Sequence, residues 1–292
     1  MSLTDLKSFN AVARYGGFVK AAEQLLRAQP TVTVQVRNLE KNFGVELFYR
    51  GRGQTAKLTP FGVQLYETTQ QLFNLEIDAN TLLESAGNAQ GGFLRLGAIS
   101  PRCALPSMTQ VSRDLPGLEL SLRIDNSQAL LRAVLNHDLD ICFVGLHETN
   151  SRYFTQKISA PEIVLAASPD HPNAEKGIIS RSDFAQQTLL QREPGSETRA
   201  LTEADFQLHD YAPARTLEIG GRESVLLAVQ NGLGIAPVSL EEVGTTDPVR
   251  ILRCADFRTH GEIHIACLAN RLHIPIVKSI FAIERNKTSD LC

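Results

Sequence analysis

Residues 18–62 read FVKAAEQLLRAQPTVTVQVRNLEKNFGVELFYRGRGQTAKLTPFG. Two helical patterns flank a turn and run into a basic hairpin. Ala21, Ala22 and Leu25 mark the apolar face of the first helix. The next opens at Gln29-Pro30-Thr31, where proline is tolerated because a first-turn N–H has no helical acceptor. Val32, Val36, Leu39 and Phe43 recur at i, i+4, i+7 and i+11, a stripe that predicts burial. Thr33, Val34, Arg37, Asn38 and Lys41 fall on the other side, offering a hydroxyl, methyl groups, an amide and two cations but no carboxylate. Such groups read base edges and phosphates in a major groove. The residues assigned to double-stranded DNA on this helix are Gln29, Pro30, Thr31, Thr33, Val34, Arg37 and Asn38.

Upstream, Thr4 is positioned to cap a helix over 4–14 whose apolar side is Leu6, Phe9, Val12 and Ala13, and Gly16-Gly17 ends it. Downstream, Gly44 stops the reading helix. Residues 46–50 and 56–59 then predict two short strands around Gly51-Arg52-Gly53, a wing that aims Arg50, Arg52 and Lys57 at the DNA backbone. Charge follows the same division. Residues 1–62 carry nine Lys/Arg against four acids, whereas residues 63–91 carry four acids and no Lys or Arg. The net charge of −3 over 292 residues therefore hides a basic head on an acidic remainder.

Thr59-Pro60 opens a helix reaching about Ala86, roughly 39 Å at 1.5 Å per residue. Leu65, Leu72, Ala79 and Ala86 occupy one heptad position, and Thr68, Leu75 and Leu82 the other. That seam predicts a coiled-coil contact with a second copy, the alternative being a helix packed on its own domain. The hinge Gly87-Asn88-Ala89-Gln90-Gly91-Gly92 follows. Beyond it strands and helices alternate to the end, predicting an α/β unit of parallel sheets, two lobes and a cleft at the strand carboxyl ends.

Within that unit, Arg192-Glu193-Pro194-Gly195-Ser196-Glu197-Thr198-Arg199 joins a strand to a helix. Its small donors and free N–H groups describe an anion pocket, or else simple capping by Ser196 and Thr198. Ser100-Pro101-Arg102 and Asn126-Ser127 stand at matching points after two earlier strands, and Arg222 starts another helix. The expected effector-binding set is Ser100, Pro101, Arg102, Asn126, Ser127, Glu193, Ser196, Thr198 and Arg222, holding a small anion.

Other functions find little purchase. Nucleophile-elbow, P-loop, dinucleotide-glycine and metal-ligand spacings are all missing, so no catalytic residue, metal or cofactor is expected. Asp138/Asp140 and Glu241/Glu242 read as exposed loop or helix-end charges. The five scattered cysteines read as reduced thiols, although Cys103 leaves a thiol redox sensor as one alternative and a solute-binding protein is another. No apolar run is long enough for a membrane span, and the N-terminus lacks a signal-like core, so a cytoplasmic location is expected.

Over its full length the chain resembles the LysR-type transcriptional regulators. The matching residues are Phe9, Val12-Ala13, Gly17-Phe18, Ala21-Ala22, Leu25, Gln29-Pro30, Val32-Thr33, Gln35, Leu39-Glu40, Gly44, Leu47-Phe48, Arg50 and Leu58-Thr59. Residues 92–97 and 232–235 resemble that family's effector domain. Lys20, Ala28 and Val34 depart from its pattern. The resemblance implies a winged helix-turn-helix over 1–59, a linker helix for dimerisation over 60–87, a hinge over 88–92 and an effector domain over 93–292. That domain resembles periplasmic binding proteins, with lobe I at about 93–161 and 267–292 and lobe II at about 162–266. A homodimer through the linker helix, a homotetramer and a contact with RNA polymerase are also implied. Gln29-Pro30-Thr31-Val32-Thr33, Leu65-Tyr66, Leu72-Phe73 and Gly221-Arg222-Glu223-Ser224-Val225 look most like regulators of aminoethylphosphonate catabolism, which implies a phosphonate effector.

Overall fold

Helix α1 (Leu3–Tyr15) starts on Ser2, whose side chain accepts the Thr4 N–H, so the cap lies two residues before Thr4. Gly16 ends α1 in the left-handed region at φ 71°. Helices α2 (Phe18–Gln24) and α3 (Gln29–Phe43) follow, α3 carrying proline in its first turn. This computed structural model describes residues 2–49, 56–87, 92–147, 150–244 and 247–289. The chain divides into two units, Met1–Ala89 and Gln90–Cys292.

In the first unit Val32, Val36 and Leu39 of α3 pack against Leu6, Phe9 and Val12 of α1 and Ala21 and Ala22 of α2. Each buried Val, Leu or Phe side chain among them contributes roughly 1.5–3 kcal/mol. Phe43 does not join them and is 56% exposed. It stands on the last helical residue, and the chain reverses at Gly44 to bring Leu47 and Phe48 into the core instead. Among the described residues the two wing strands meet in one bridge, Phe48 to Leu58, with Tyr49 N donating to Lys57 O and Thr59 N to Leu47 O. Arg50 and Arg52 lie outside the described residues.

Helix α4 (Pro60–Gly87) begins where the Thr59 hydroxyl accepts the Gly62 N–H. Its Leu65, Tyr66 and Phe73 cover the head core, and Asn10 donates to the buried Thr69 hydroxyl at 3.0 Å. Leu65, expected in the heptad seam, is thus taken by the helix's own head. Leu72 and Leu75 remain exposed, as do Phe61 and Val63, while the side chains of Leu82 and Ala86 lie outside the described residues.

Among the described residues the second unit carries two larger sheets of mixed direction, where parallel ones are expected, and a two-stranded parallel sheet. Strands β1 (Gly92–Ala98), β2 (Leu118–Ile124), β3 (Ile141–Gly145) and β4 (Tyr153–Ser159) form lobe I with β12 (Ile263–Leu268), in the order β2-β1-β3-β12-β4. β12 runs antiparallel to both neighbours because it re-enters from the other lobe. The return therefore falls between His260 and Ile263, not at 266/267. Residues 263–268 form one unbroken strand, all buried, that belongs wholly to lobe I. Ile141 and Phe143 of β3 face α5 (Pro101–Asp114) and α10 (Pro275–Ser289), and Cys142 and Val144 face α6 (Ser127–Leu135). Cover on both faces explains a strand with no polar alternation.

Lobe II centres on β5 (Glu162–Ala167), paired with β9 (Ala236–Ser239), β10 (Arg250–Cys254) and β11 (Thr259–His260), all antiparallel. β6 (Ile178–Ile179) extends this sheet beyond β10. β7 (Thr188–Gln191) pairs in parallel with β8 (Arg215–Glu218). Helix α7 (Arg181–Phe184) packs on one face of the β5 sheet with α8 (Glu197–Leu208), and α9 (Arg222–Gln230) packs on the other.

Candidate functional site

The reading helix presents the face that its sequence describes. Gln29, Pro30, Thr31, Val34, Arg37, Asn38 and Lys41 are exposed and Thr33 is half-buried. The side chains of Arg37, Asn38 and Lys41 form no hydrogen bond or ion pair among the described residues. Thr33 donates its hydroxyl proton to Gln29 O at 3.0 Å, which leaves its oxygen free to accept. Gln35, behind this face, accepts from Ser8 Oγ at 2.6 Å and Arg27 Nη1 at 3.3 Å and so ties α3 to α1. Lys57 is exposed.

In the second unit the helix starts at strand carboxyl ends converge between the lobes. Asn126, Ser127, Ser196, Thr198 and Arg222 all line one cleft, joined by Arg192, Glu197, Ser239 and Glu242. The cleft is narrow, with about 30 Å³ of water-accessible space. Contacts between lobes hold it so. Gln128 N donates to Gly195 O at 3.3 Å, Asn126 Nδ2 to Glu193 Oε1 at 3.3 Å, and His147 pairs with Glu197. Gly195 stands at φ 93° with Asn126 Oδ1 2.9 Å from where a Cβ would be, so both backbone angle and space require glycine.

Several expected effector contacts are also caps. Ser100 accepts from Arg102 N, Asn126 from Ala129 N and Ser196 from Arg199 N, while Ser127 Oγ accepts from Gly145 N across to β3. Among the described residues, Ser100, Pro101 and Glu193 line neither this cleft nor the wider cavity of about 390 Å³ beside it, which takes Arg102. Cys103 lines that wider cavity, and burial pushes its thiol up to about 11 despite the nearby Arg222, so little thiolate is present at neutral pH.

Glu193 works from behind the wall. It accepts both Arg192 Nε at 2.8 Å and Nη2 at 2.7 Å, and also Gly221 N at 3.1 Å. Burial alone would raise its carboxyl, but these bonds hold it at about 2 against an ordinary 4.5. A carboxyl held down in this way stabilises the fold fully above its ordinary value, and that stabilisation fades as pH falls toward 2. Thermal melts of a Glu193→Gln variant should therefore lie below wild type at pH 7, with the gap narrowing from pH 4.5 downward. A gap independent of pH would refute the assignment.

Two charges read as exposed in sequence are buried here. Glu242 is 8% exposed and pairs with Arg222. Asp140 is 5% exposed and pairs with Arg95 and Arg271. Arg222 is nine-tenths buried, and burial together with the neighbouring Arg192 guanidinium lowers it to about 10. Among the described residues, Arg222 Nε and Ser239 Oγ are buried with no hydrogen-bond partner. Ser239 carries no signal in sequence, Glu242 reads there as an exposed charge, and Arg192 opens the segment expected to form the anion pocket without being assigned a contact.

Comparison with known proteins bears on both units. A family profile described as "Bacterial regulatory helix-turn-helix protein, lysR family" matches residues 3–63, and one described as "LysR substrate binding domain" matches 87–286. The HTH-type transcriptional regulator CfxR of Cupriavidus necator is 30% identical, covering 99% of this chain and 93% of its own. A single-substitution variant of full-length OxyR from Pseudomonas aeruginosa has a TM-score of 0.69 at 22% identity, covering 97% of this chain and 94% of its own. The CcmR regulatory domain of Synechocystis, solved with 2-PG, has a TM-score of 0.61 at 25% identity over 68% of this chain and 97% of its own.

Proposed function

The chain belongs to the lysR family of bacterial regulatory helix-turn-helix proteins, and on that premise we propose that α3 reads an operator while the inter-lobe cleft senses a small effector bearing an anionic group. As a family member it is a DNA-binding transcriptional regulator with an effector-binding domain. The observation that carries the sensing half is the convergence of the α6, α8 and α9 starts on a cleft holding buried Arg222. Helix N-termini favour anions through aligned N–H groups and the helix dipole. The CcmR domain solved with 2-PG supports a small effector for a domain of this fold.

On this reading Gln29, Pro30, Thr31, Thr33, Val34, Arg37 and Asn38 contact DNA, and Arg50, Arg52 and Lys57 grip its backbone. Asn126, Ser127, Ser196, Thr198 and Arg222 contact the effector. The exposed Leu72 and Leu75 of α4 support self-association through that helix, from which a dimer and then a tetramer are built. The protein acts in the cytoplasm, without catalysis of its own, and passes its signal to RNA polymerase. No helix among the described residues is long and apolar enough to cross a membrane. A phosphonate such as 2-aminoethylphosphonate is the narrower effector reading, supported by sequence resemblance alone.

Thermal shift of the full chain against phosphate, sulfate, small carboxylates, phosphonates and 2-PG tests the sensing half. A true effector at a hundredfold its Kd stabilises by about 2.7 kcal/mol and raises the Tm by several degrees. A panel that leaves the Tm unmoved would overturn the anion assignment.

A further inference from the structure

Charge on the cleft wall narrows the class of effector. Among the described residues, each guanidinium lining the cleft already faces a carboxylate, Arg192 with Glu193 and Arg222 with Glu242. Glu197 and Glu262 add negative charge, Glu197 meeting His147 and Glu262 meeting Lys157 and His264. The wall thus holds no uncommitted cation for a plain anion. An anion taking Arg222 from Glu242 would leave a carboxylate buried and unpaired, which is more costly than leaving the pair intact. An anion added to the intact pair would place a second negative group beside Glu242.

We propose that the effector is a small zwitterion, whose oxyanion takes Arg222 and Ser239 while its ammonium takes Glu242. This inference rests on the cleft being the effector site. Four features of the site fit it. Arg222 Nε–H and Ser239 Oγ are buried, without partners, and on the cleft wall, so they offer donors that water no longer satisfies. Glu242, equally buried, supplies the acceptor an ammonium group needs. A neutral dipolar guest exchanges one buried ion pair for two and strands neither charge. Ser239 ends β9 and Glu242 lies one turn later, so one donor and the acceptor come from a single short segment, and Arg222 joins them from α9. The lobes must part to admit such a molecule, because the narrow cleft has only about 30 Å³ of water-accessible space.

Titration calorimetry on the full chain with matched pairs tests this: 2-aminoethylphosphonate against ethylphosphonate, taurine against ethanesulfonate, β-alanine against propionate, and ethylamine alone. At least one amine-bearing acid should bind 10-fold or more tightly than its amine-free partner, with ethylamine silent. Glu242→Gln should bring the two within about threefold by admitting the plain anion. Equal or tighter binding of the plain anions to wild type overturns the zwitterion and leaves the sensing cleft standing. A preference that survives Glu242→Gln overturns the role of Glu242, and binding by ethylamine alone overturns the oxyanion half. Binding by no member overturns the zwitterion outright, and the broader anion panel then judges the cleft itself. The wild-type comparison needs no variant, so poor folding of Glu242→Gln leaves the proposal open to refutation.

Discussion

Asp140→Asn should destabilise the second unit by about 3–5 kcal/mol, the cost of removing one partner from a buried ion pair. Asp140 sits just before β3 and ties three places together. Its Oδ2 accepts Arg95 N at 2.8 Å and Arg95 Nε at 3.1 Å, and its Oδ1 accepts Arg95 Nη2 at 3.0 Å and Arg271 Nη1 at 2.8 Å. Arg271 is only 4% exposed, so an amide in place of the carboxylate sets a buried guanidinium against a neutral group. Burial on its own would raise the Asp140 carboxyl, yet the bonds from Arg95 and the charge of Arg271 hold it below its ordinary value. The stabilisation is therefore complete above the ordinary carboxylate range and is lost as pH falls through the lowered value. Urea unfolding of both proteins at neutral pH and again at acid pH measures the loss and its direction. A neutral-pH difference below about 1 kcal/mol would show that the triad contributes little.

Arg37→Ala should weaken binding to an operator, selected from a random-sequence library, by about 1–3 kcal/mol, roughly 5- to 150-fold. Arg37 is exposed on α3, one residue beyond the buried Val36, with no intramolecular ion pair among the described residues to hold it back. If its guanidinium forks onto a guanine edge, the loss falls on the selected site and spares random duplex. If it neutralises a phosphate, both lose alike and the salt dependence of binding flattens by about one ion. Mobility-shift titrations of wild type and variant on both DNAs, at two salt concentrations, separate these outcomes. An unchanged operator affinity would remove Arg37 from the interface.

How much of this was legible differs between the units. The reading helix follows from periodicity and from Pro30 and Gly44, which act on their own neighbours in the chain. Phe43 shared that periodicity and is nevertheless exposed, because Leu47 and Phe48 reach the core after the chain reverses. Leu65 matched a heptad as well as Leu72 did, and only the position of α1 assigns it to the head. In the cleft, Asn126, Ser127, Ser196 and Thr198 were marked by their places at helix starts, where capping chemistry is local. Glu242 and Asp140 were misjudged for the opposite reason. A carboxylate in a short polar segment looks solvated until a guanidinium from a distant segment is brought against it.

The residues taken alone determined a basic helical head, a long helix and an alternating α/β rear, since period, punctuation and net charge are properties of neighbours along the chain. Folding in three dimensions decided which side of each stripe is covered, where the return strand enters lobe I, and which buried charges meet in the cleft. Those depend on contacts between residues far apart in sequence, and on the high cost of an unpaired charge away from water. No local pattern records either.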